Sequence, residues 1–265
     1  MSSDGPSSQC PVITLDGLAG SGKSTLARRL AMRLGWAYLD SGAWYRALTW
    51  AVLQQPSPPP QASASDPDEE APKSGRWSPQ AILDTLFRID IHCHPDGSVV
   101  VDGQPLRQQI RTPEIDRAVA DVADPPEVRS ALVDRMRRLR SRAGLAGIVA
   151  DGRDAGTVIF PDAGLKVFVH ADLETRAGRR FQQGRSAGLQ LSLDDVLERL
   201  RERDRRDGAR GDSAPRPLPG GRILDNNHLT VEEAIGRLLA WVENPSESPP
   251  AEAGRDFPEP GFRQT

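Results

Sequence analysis

Nine consecutive residues carry the clearest chemistry in the chain: Gly17, Leu18, Ala19, Gly20, Ser21, Gly22, Lys23, Ser24 and Thr25. They match G-x-x-x-x-G-K-[ST] at every fixed position. Glycines at these spacings let the backbone curl until successive N–H groups point inward, toward an anion. The helix that opens at the end of the loop adds its positive pole. Lys23 is placed to reach the terminal phosphates of a triphosphate, and the Ser24 hydroxyl to ligate Mg²⁺. Asp151 can orient water on that ion, and so can Asp16; either can instead cap a helix. Transfer of a phosphoryl group asks a protein mainly to position two reactants and neutralise spreading charge. An acceptor that is itself a phosphate needs arginines, and the chain supplies Arg46, Arg153, Arg203 and Arg210. Asp207 stands four residues after Arg203 and three before Arg210, so a helix would show Arg, Asp and Arg on one face. A solvated helix with internal ion pairs would read the same way. The downstream position favours a mobile lid that closes over phosphates and excludes water. Asp154 can accept a hydrogen bond from an exocyclic amine, pair with Arg153, or cap the next turn.

These residues need a frame, and the apolar pattern supplies one. Residues 1–10 read as a disordered lead-in. Val12 to Leu15 is an apolar strand leading into the glycine loop, and Leu26, Ala27, Leu30, Ala31 and Leu34 have helical spacing after it. Gly35 suits the helix end. Trp36 to Leu39 reads as a strand, after which Asp40 or Ser41 can cap a helix through Leu48 and Val52. Between 55 and 79 there are seven prolines and hardly a large apolar side chain before Trp77. That composition cannot build a core and is expected to be a disordered, solvated insertion. Order resumes near Ala81 with a helix, then a hairpin over Ile89–Val101 turning at Pro95-Asp96-Gly97. Asp102-Gly103 offers a further turn. His92 and His94 share a strand face, but without a third ligand nearby a solvated face fits better than a metal site. Helices are expected over Pro113–Val122 and from Pro126 to Gly144. A strand over Leu145–Ala150 ends in Asp151-Gly-Arg-Asp154. Another strand, Lys166–Val169, precedes helices over Glu174–Gln183 and Leu193–Asp207. Arg222–Leu224 is the last strand, and Thr230 to Glu233 forms a capping box for a final helix. Residues 244–265 hold five prolines among polar residues and read as a disordered tail. Alternating strands and helices imply an α/β fold, a parallel sheet with helices on both faces. Ligands of such sheets gather beyond the carboxyl ends of the strands. The Gly17–Ser24, Asp40–Arg46 and Asp151–Asp154 stretches each follow a strand and are expected to share one rim.

Composition bounds the remaining possibilities. The 265 residues can bury a sizeable core. A net charge of −3 suggests neither a nucleic acid nor a membrane as partner. Cys10 and Cys93 lie far apart without metal spacing, as expected of reduced thiols. Nothing near Met1 to Gln9 has a basic-then-apolar targeting pattern. No apolar run approaches the roughly 20 residues that span a bilayer. A soluble cytoplasmic protein is expected.

The stretches LDGLAGSGKSTLARRLA, YLDSGAWYRAL, ADGRDAGTVIFPDAGLKVFVHA and ERDRRDGAR resemble the bacterial cytidylate (CMP/dCMP) kinases, P-loop proteins of the nucleoside monophosphate kinase class. DSGAxYR and DGRDxGTVxFPDA are far more specific than the phosphate loop. The resemblance covers about residues 11–55 and 80–243. It implies ATP with Mg²⁺ as donor, CMP or dCMP as acceptor, and a monomer. It implies a kinase domain over 11–243, containing an NMP-binding insertion at 80–125 and a lid region at 176–218. It places Ser41, Arg46, Arg129, Arg153 and Asp154 in the CMP site, with Asp154 near the cytosine amine and Arg129 near the ring acceptors. Arg203, Asp207 and Arg210 match the family's lid pattern, the arginines serving phosphates and Asp207 the sugar hydroxyls. Lys23, Arg153, Arg203 and Arg210 would then be the catalytic cations. A carboxylate paired with the amine would be left unpaired by uracil, which explains a cytosine preference. Two departures stand out: Ala120, followed by Asp121, where many members have serine, and Asp225-Asn226-Asn227 where Asp-Ser or Asp-Thr followed by threonine is usual near the adenine. Two other readings compete. One is a P-loop kinase of another small acceptor, UMP or shikimate-like; the other is a non-catalytic nucleotide switch. The switch predicts loss of acceptor or lid residues, yet Arg46, Asp154, Arg203 and Arg210 are present.

Overall fold

A computed structural model describes residues 9–55, 77–93, 98–142, 144–186, 188, 190–209 and 211–244. The expected lead-in up to residue 8, the proline-rich stretch 56–76, the turn at 94–97, Arg210 and the tail from 245 lie outside them. In chain order the elements are β1 (Val12–Asp16), α1 (Lys23–Leu34), β2 (Ala37–Asp40), α2 (Ser41–Leu53) and α3 (Pro79–Arg88). Then come β3 (Ile91–Cys93), β4 (Val99–Val101), β5 (Gln104–Leu106), α4 (Pro113–Ala123) and α5 (Pro126–Arg137). The chain closes with β6 (Ile148–Gly152), β7 (Leu165–His170), α6 (Leu173–Ser186), α7 (Leu193–Gly208), β8 (Arg222–Asp225) and α8 (Val231–Glu243). A π-helical turn spans Ala155–Ile159. The described residues form two compact units, one from 1–39 with 140–265, the other from 40–139.

The first unit is built on a five-stranded sheet in the order β2-β6-β1-β7-β8. β1 runs parallel to both β6 and β7, and β7 parallel to β8. Every residue of β1 is buried, as expected of a strand with neighbours on both edges. The pleat sends Ile13 and Leu15 to one face and Thr14 and Asp16 to the other. On the first face Ile13, Leu15, Val149, Val167, Val169 and Leu224 join Leu26 and Leu30 of α1 and Ile235 and Leu238 of α8 in one core cluster. The chain leaves α1 through Gly35, at φ 66°. α8 begins with the expected capping box, Thr230 and Glu233 each satisfying the other's backbone. α6 and α7 pair through a smaller cluster of Ala19, Ala177, Val196 and Leu200.

The second unit carries an antiparallel sheet in the order β3-β4-β5. Ile91 faces Val101 across the expected hairpin. Asp102 and Gly103, both at positive φ, make the turn from β4 to β5. Side chains cap three helices here: Asp40 for α2, Ser78 for α3 and Thr112 for α4. Trp44, Leu48, Ile82, Leu86, Leu106, Ile110 and Leu132 are fully buried. Both cysteines are free thiols, and Cys93 accepts a hydrogen bond from the Trp44 indole at 3.0 Å. Among the described residues no cluster of His, Cys, Asp and Glu could hold a metal by itself. Among them no helix is long and apolar enough to cross a membrane.

Candidate active site

The glycine loop takes the conformation its sequence requires. Gly20 and Gly22 have φ of 83° and 96°, where a side chain would be strained. A Cβ on Gly22 would sit 2.6 Å from Nδ2 of Asn226, and one on Gly17 2.4 Å from the carbonyl oxygen of Val169. The loop is thus pressed against β7 and the end of β8. Asn226, the buried residue after β8, donates through Nδ2 to the Ser21 carbonyl at 2.7 Å. Arg179 of α6 reaches the Ser21 and Asn226 carbonyls, and burial pushes its pKa down. Asn227 grips Asp225 and accepts from the Asp172 amide. Asn226 and Asn227 thus brace the loop and its neighbouring turn.

Lys23 is buried, and its ammonium donates to the Leu18 carbonyl at 3.2 Å. Ser24 begins the exposed side of α1, and its hydroxyl donates to Asp151 Oδ2 at 2.6 Å. The other oxygen of Asp151 accepts from the Tyr38 hydroxyl at 2.7 Å. Two strands and one helix therefore fix a hydroxyl and a carboxylate side by side. That pair suits Mg²⁺, which keeps several waters and takes only one or two protein ligands beside phosphate oxygens.

β6 ends at Gly152, and Arg153 and Asp154 follow directly after it. Arg153 donates through Nε to Asp207 of α7 at 2.9 Å, and both side chains are largely shielded from water. Arg153 and Asp207 are thus brought together directly. Asp154 is buried and starts the π-helical turn, yet its side chain makes no capping hydrogen bond. Asp16 has no described hydrogen bond with Ser24 and instead caps the π-helical turn from a distant strand. Its two oxygens accept the Ala155 and Gly156 amides, each at 2.8 Å. Burial pushes its pKa up to about 6, with the two amides and Lys23 pulling down and Asp154 pushing up. Arg203 lies on α7 as expected. The helix ends at Gly208, and Arg210 of the expected Arg-Asp-Arg face lies outside the described residues.

A further group was hidden in the charged helices. Arg176 of α6 is buried and forks onto both carboxylate oxygens of Asp204 on α7 at 3.1 and 2.7 Å. The same guanidinium donates to the Ala19 carbonyl of the glycine loop and to Ala171. Twenty-eight residues separate this pair, so no local spacing announces it.

Ser41, Arg46 and Arg129 belong to the second unit. Ser41 is buried at the start of α2. Arg46 donates to the Ile110 carbonyl at 3.1 Å and to Asp116 at 2.5 Å. Arg129 lies over the Tyr45 ring, 5.4 Å from its centre. Ala120 is half-buried on α4, and Asp121 beside it is exposed. His92 pairs with Asp90 at 3.3 Å.

The sequence has known relatives. The family model for cytidylate kinase matches residues 13–244. The chain belongs to the cytidylate kinase family. A cytidylate kinase from Aeromonas salmonicida is 38% identical over 234 residues, covering 88% of this chain and 94% of that protein. One from Bordetella bronchiseptica is 40% identical over 230 residues, covering 86% and 93%. Among solved structures, a shikimate kinase from Acinetobacter baumannii in complex with shikimate aligns with a TM-score of 0.44 at 15% identity, covering 90% of this chain and 96% of that one. Within this cytidylate kinase family member, β1 and β6 deliver the loop, Asp151, Arg153 and Asp154 from adjacent strands.

Proposed function

We propose that this chain moves the γ-phosphoryl group of ATP directly to CMP and dCMP, giving CDP and dCDP. The observation that carries the reading is the end of β6. Asp151 there holds the Ser24 hydroxyl of the phosphate loop, and Arg153 and Asp154 follow within three residues. The loop amides of Gly20–Thr25 and Lys23 would bind the ATP phosphates. Ser24 would ligate Mg²⁺, with Asp151 reaching it through water. Bound Mg²⁺ would neutralise charge on the phosphates as it spreads. Arg153 and Arg203 would stabilise the transferring group, with Arg210 completing the set. Ser41, Arg46, Arg129 and Asp154 would hold CMP, and Asp207 the sugar hydroxyls. In this scheme the guanidinium of Arg153 exchanges its Asp207 partner for phosphate when CMP binds. The bracing around the loop keeps its amides aimed before ATP arrives, so little ordering cost falls on binding. We further propose a kinase domain over 11–243 and a cytoplasmic monomer without nucleic-acid or membrane partners.

The test is an ADP-release assay with ATP and Mg²⁺, run on CMP, dCMP, UMP, AMP and shikimate in parallel. CMP and dCMP should turn over far faster than the rest. Equal rates on CMP and UMP would retain the kinase but lay lost selectivity at Ala120. Asp154→Ala should depress CMP turnover by about a hundredfold or more while leaving ATP affinity nearly unchanged. Equal loss of both would make Asp154 structural.

A further inference from the structure

We propose that Asp16 is a positioning residue for acceptor recognition, a carboxylate clamp that sets the angle at which the Arg153–Asp154 turn is presented. The inference rests on the CMP reading above and adds a residue to it. Four observations support it. Asp16 ends β1, immediately before the glycine loop, on the sheet face opposite Leu15. Its carboxylate accepts the amides of Ala155 and Gly156 at 2.8 Å each, one per oxygen. Those are the two amides that directly follow Asp154. The turn they begin is π-helical, with the Phe160 amide returning to the Ala155 carbonyl at 2.7 Å. A turn of that kind is uncommon and often found at functional sites, and here a side chain fixes its first amides.

The approach is close from the other side as well. A Cβ on Gly156 would lie 2.6 Å from Thr14 Oγ1 and 3.1 Å from Asp16 Oδ2. Glycine at 156 lets the turn sit directly on β1. Asp16, Asp154 and Ala155 are all at least 95% shielded from solvent, so water cannot replace the clamp. The two oxygens of a carboxylate both accept. An asparagine would present an NH₂ group to one of the two amides, donor against donor, and the turn would have to shift. Displacing a specificity group by about 1 Å can cost about a hundredfold in rate. The described hydrogen bonds of this carboxylate go to the turn, and Lys23 acts on it only through charge and least of the influences on it, so its loss should fall mainly on the acceptor side.

The experiment compares the wild type with Asp16→Asn and Gly156→Ala, using full-length protein with ATP, Mg²⁺ and CMP or UMP. Wild-type turnover of CMP first checks the underlying reading; its failure would sink that reading rather than the clamp. Given that turnover, Asp16→Asn should raise KM for CMP about tenfold or more while KM for ATP stays within about twofold. The preference for CMP over UMP should shrink in step. Gly156→Ala, which pushes the same turn away from Thr14 and Asp16 while leaving the carboxylate's charge in place, should give the same split. Parallel rises in both KM values, or no change in either, would overturn the proposal. Amide hydrogen exchange gives a readout independent of turnover. The Ala155 and Gly156 amides should be strongly protected in the wild type and exchange faster in Asp16→Asn. Wild-type amides that exchange like those of an exposed loop would overturn the clamp even if neither variant folds.

Discussion

At the scale of single residues, the chain keeps two carboxylates for opposite duties. Asp151 is buried and accepts from two hydroxyls, one of them the Ser24 hydroxyl of the phosphate loop. Asp16 is buried, accepts only backbone amides in the described contacts, and has a pKa raised to about 6. A raised carboxyl pKa means that the folded state holds a proton that the unfolded chain, near 3.8, has released. Stability contributed by this group is therefore greatest below the unfolded value and falls as pH rises through about 6. The difference is on the order of 3 kcal/mol. Asp16→Asn removes this dependence. The stability of the wild type relative to Asp16→Asn should thus rise as pH drops from 7.5 to 5, measured by urea unfolding at each pH. A constant difference across that range would contradict the raised pKa.

At the scale of elements, ion pairs on α6 and α7 separate into two kinds. Glu202 pairs with Arg205 and Arg206 on the outer face of α7, where both arginines are mostly exposed. Glu202→Ala should change stability by no more than about 0.5 kcal/mol. Arg176 is almost wholly buried against Asp204. Asp204→Ala would leave that cation buried with two carbonyls and no counter-charge, at about 3 kcal/mol, read from urea midpoints. Sequence patterns made the elements themselves legible. The apolar stripe and Gly35 marked α1, the capping box marked α8, and the Asp102-Gly103 turn marked the end of β4. The site was legible where spacing is local, as in the loop, or where a motif is long, as in DGRDAGT. Three features escaped: the π-helical turn, the Arg176–Asp204 fork, and the bracing by Asn226. Each depends on partners brought together from distant parts of the chain, so no periodicity records it. Helix ends were also blurred; α5 gives way at Arg138 to a 3₁₀ turn, short of Gly144.

At the scale of the whole molecule, the second unit is one continuous stretch, whereas the first is assembled from both ends of the chain. The proline-rich segment 56–76 falls between α2 and α3 of the continuous unit. It has almost nothing apolar to bury, so deleting it should move the melting temperature by no more than about 2 °C. A larger drop would mean that the segment contacts the folded body. The register of the main sheet has a further consequence. β1 is hydrogen-bonded only to strands that begin at Ile148 and Leu165, and the side chain that braces its loop comes at Asn226. During synthesis on the ribosome, the phosphate loop is among the first segments to emerge and among the last to acquire its shape. A nascent chain of this protein can form the helices and hairpin of residues 40–139 long before it can hold a nucleotide. A premature stop before the final strand would leave the loop flanked by β6 and β7 but without Asn226, whose amide holds the Ser21 carbonyl.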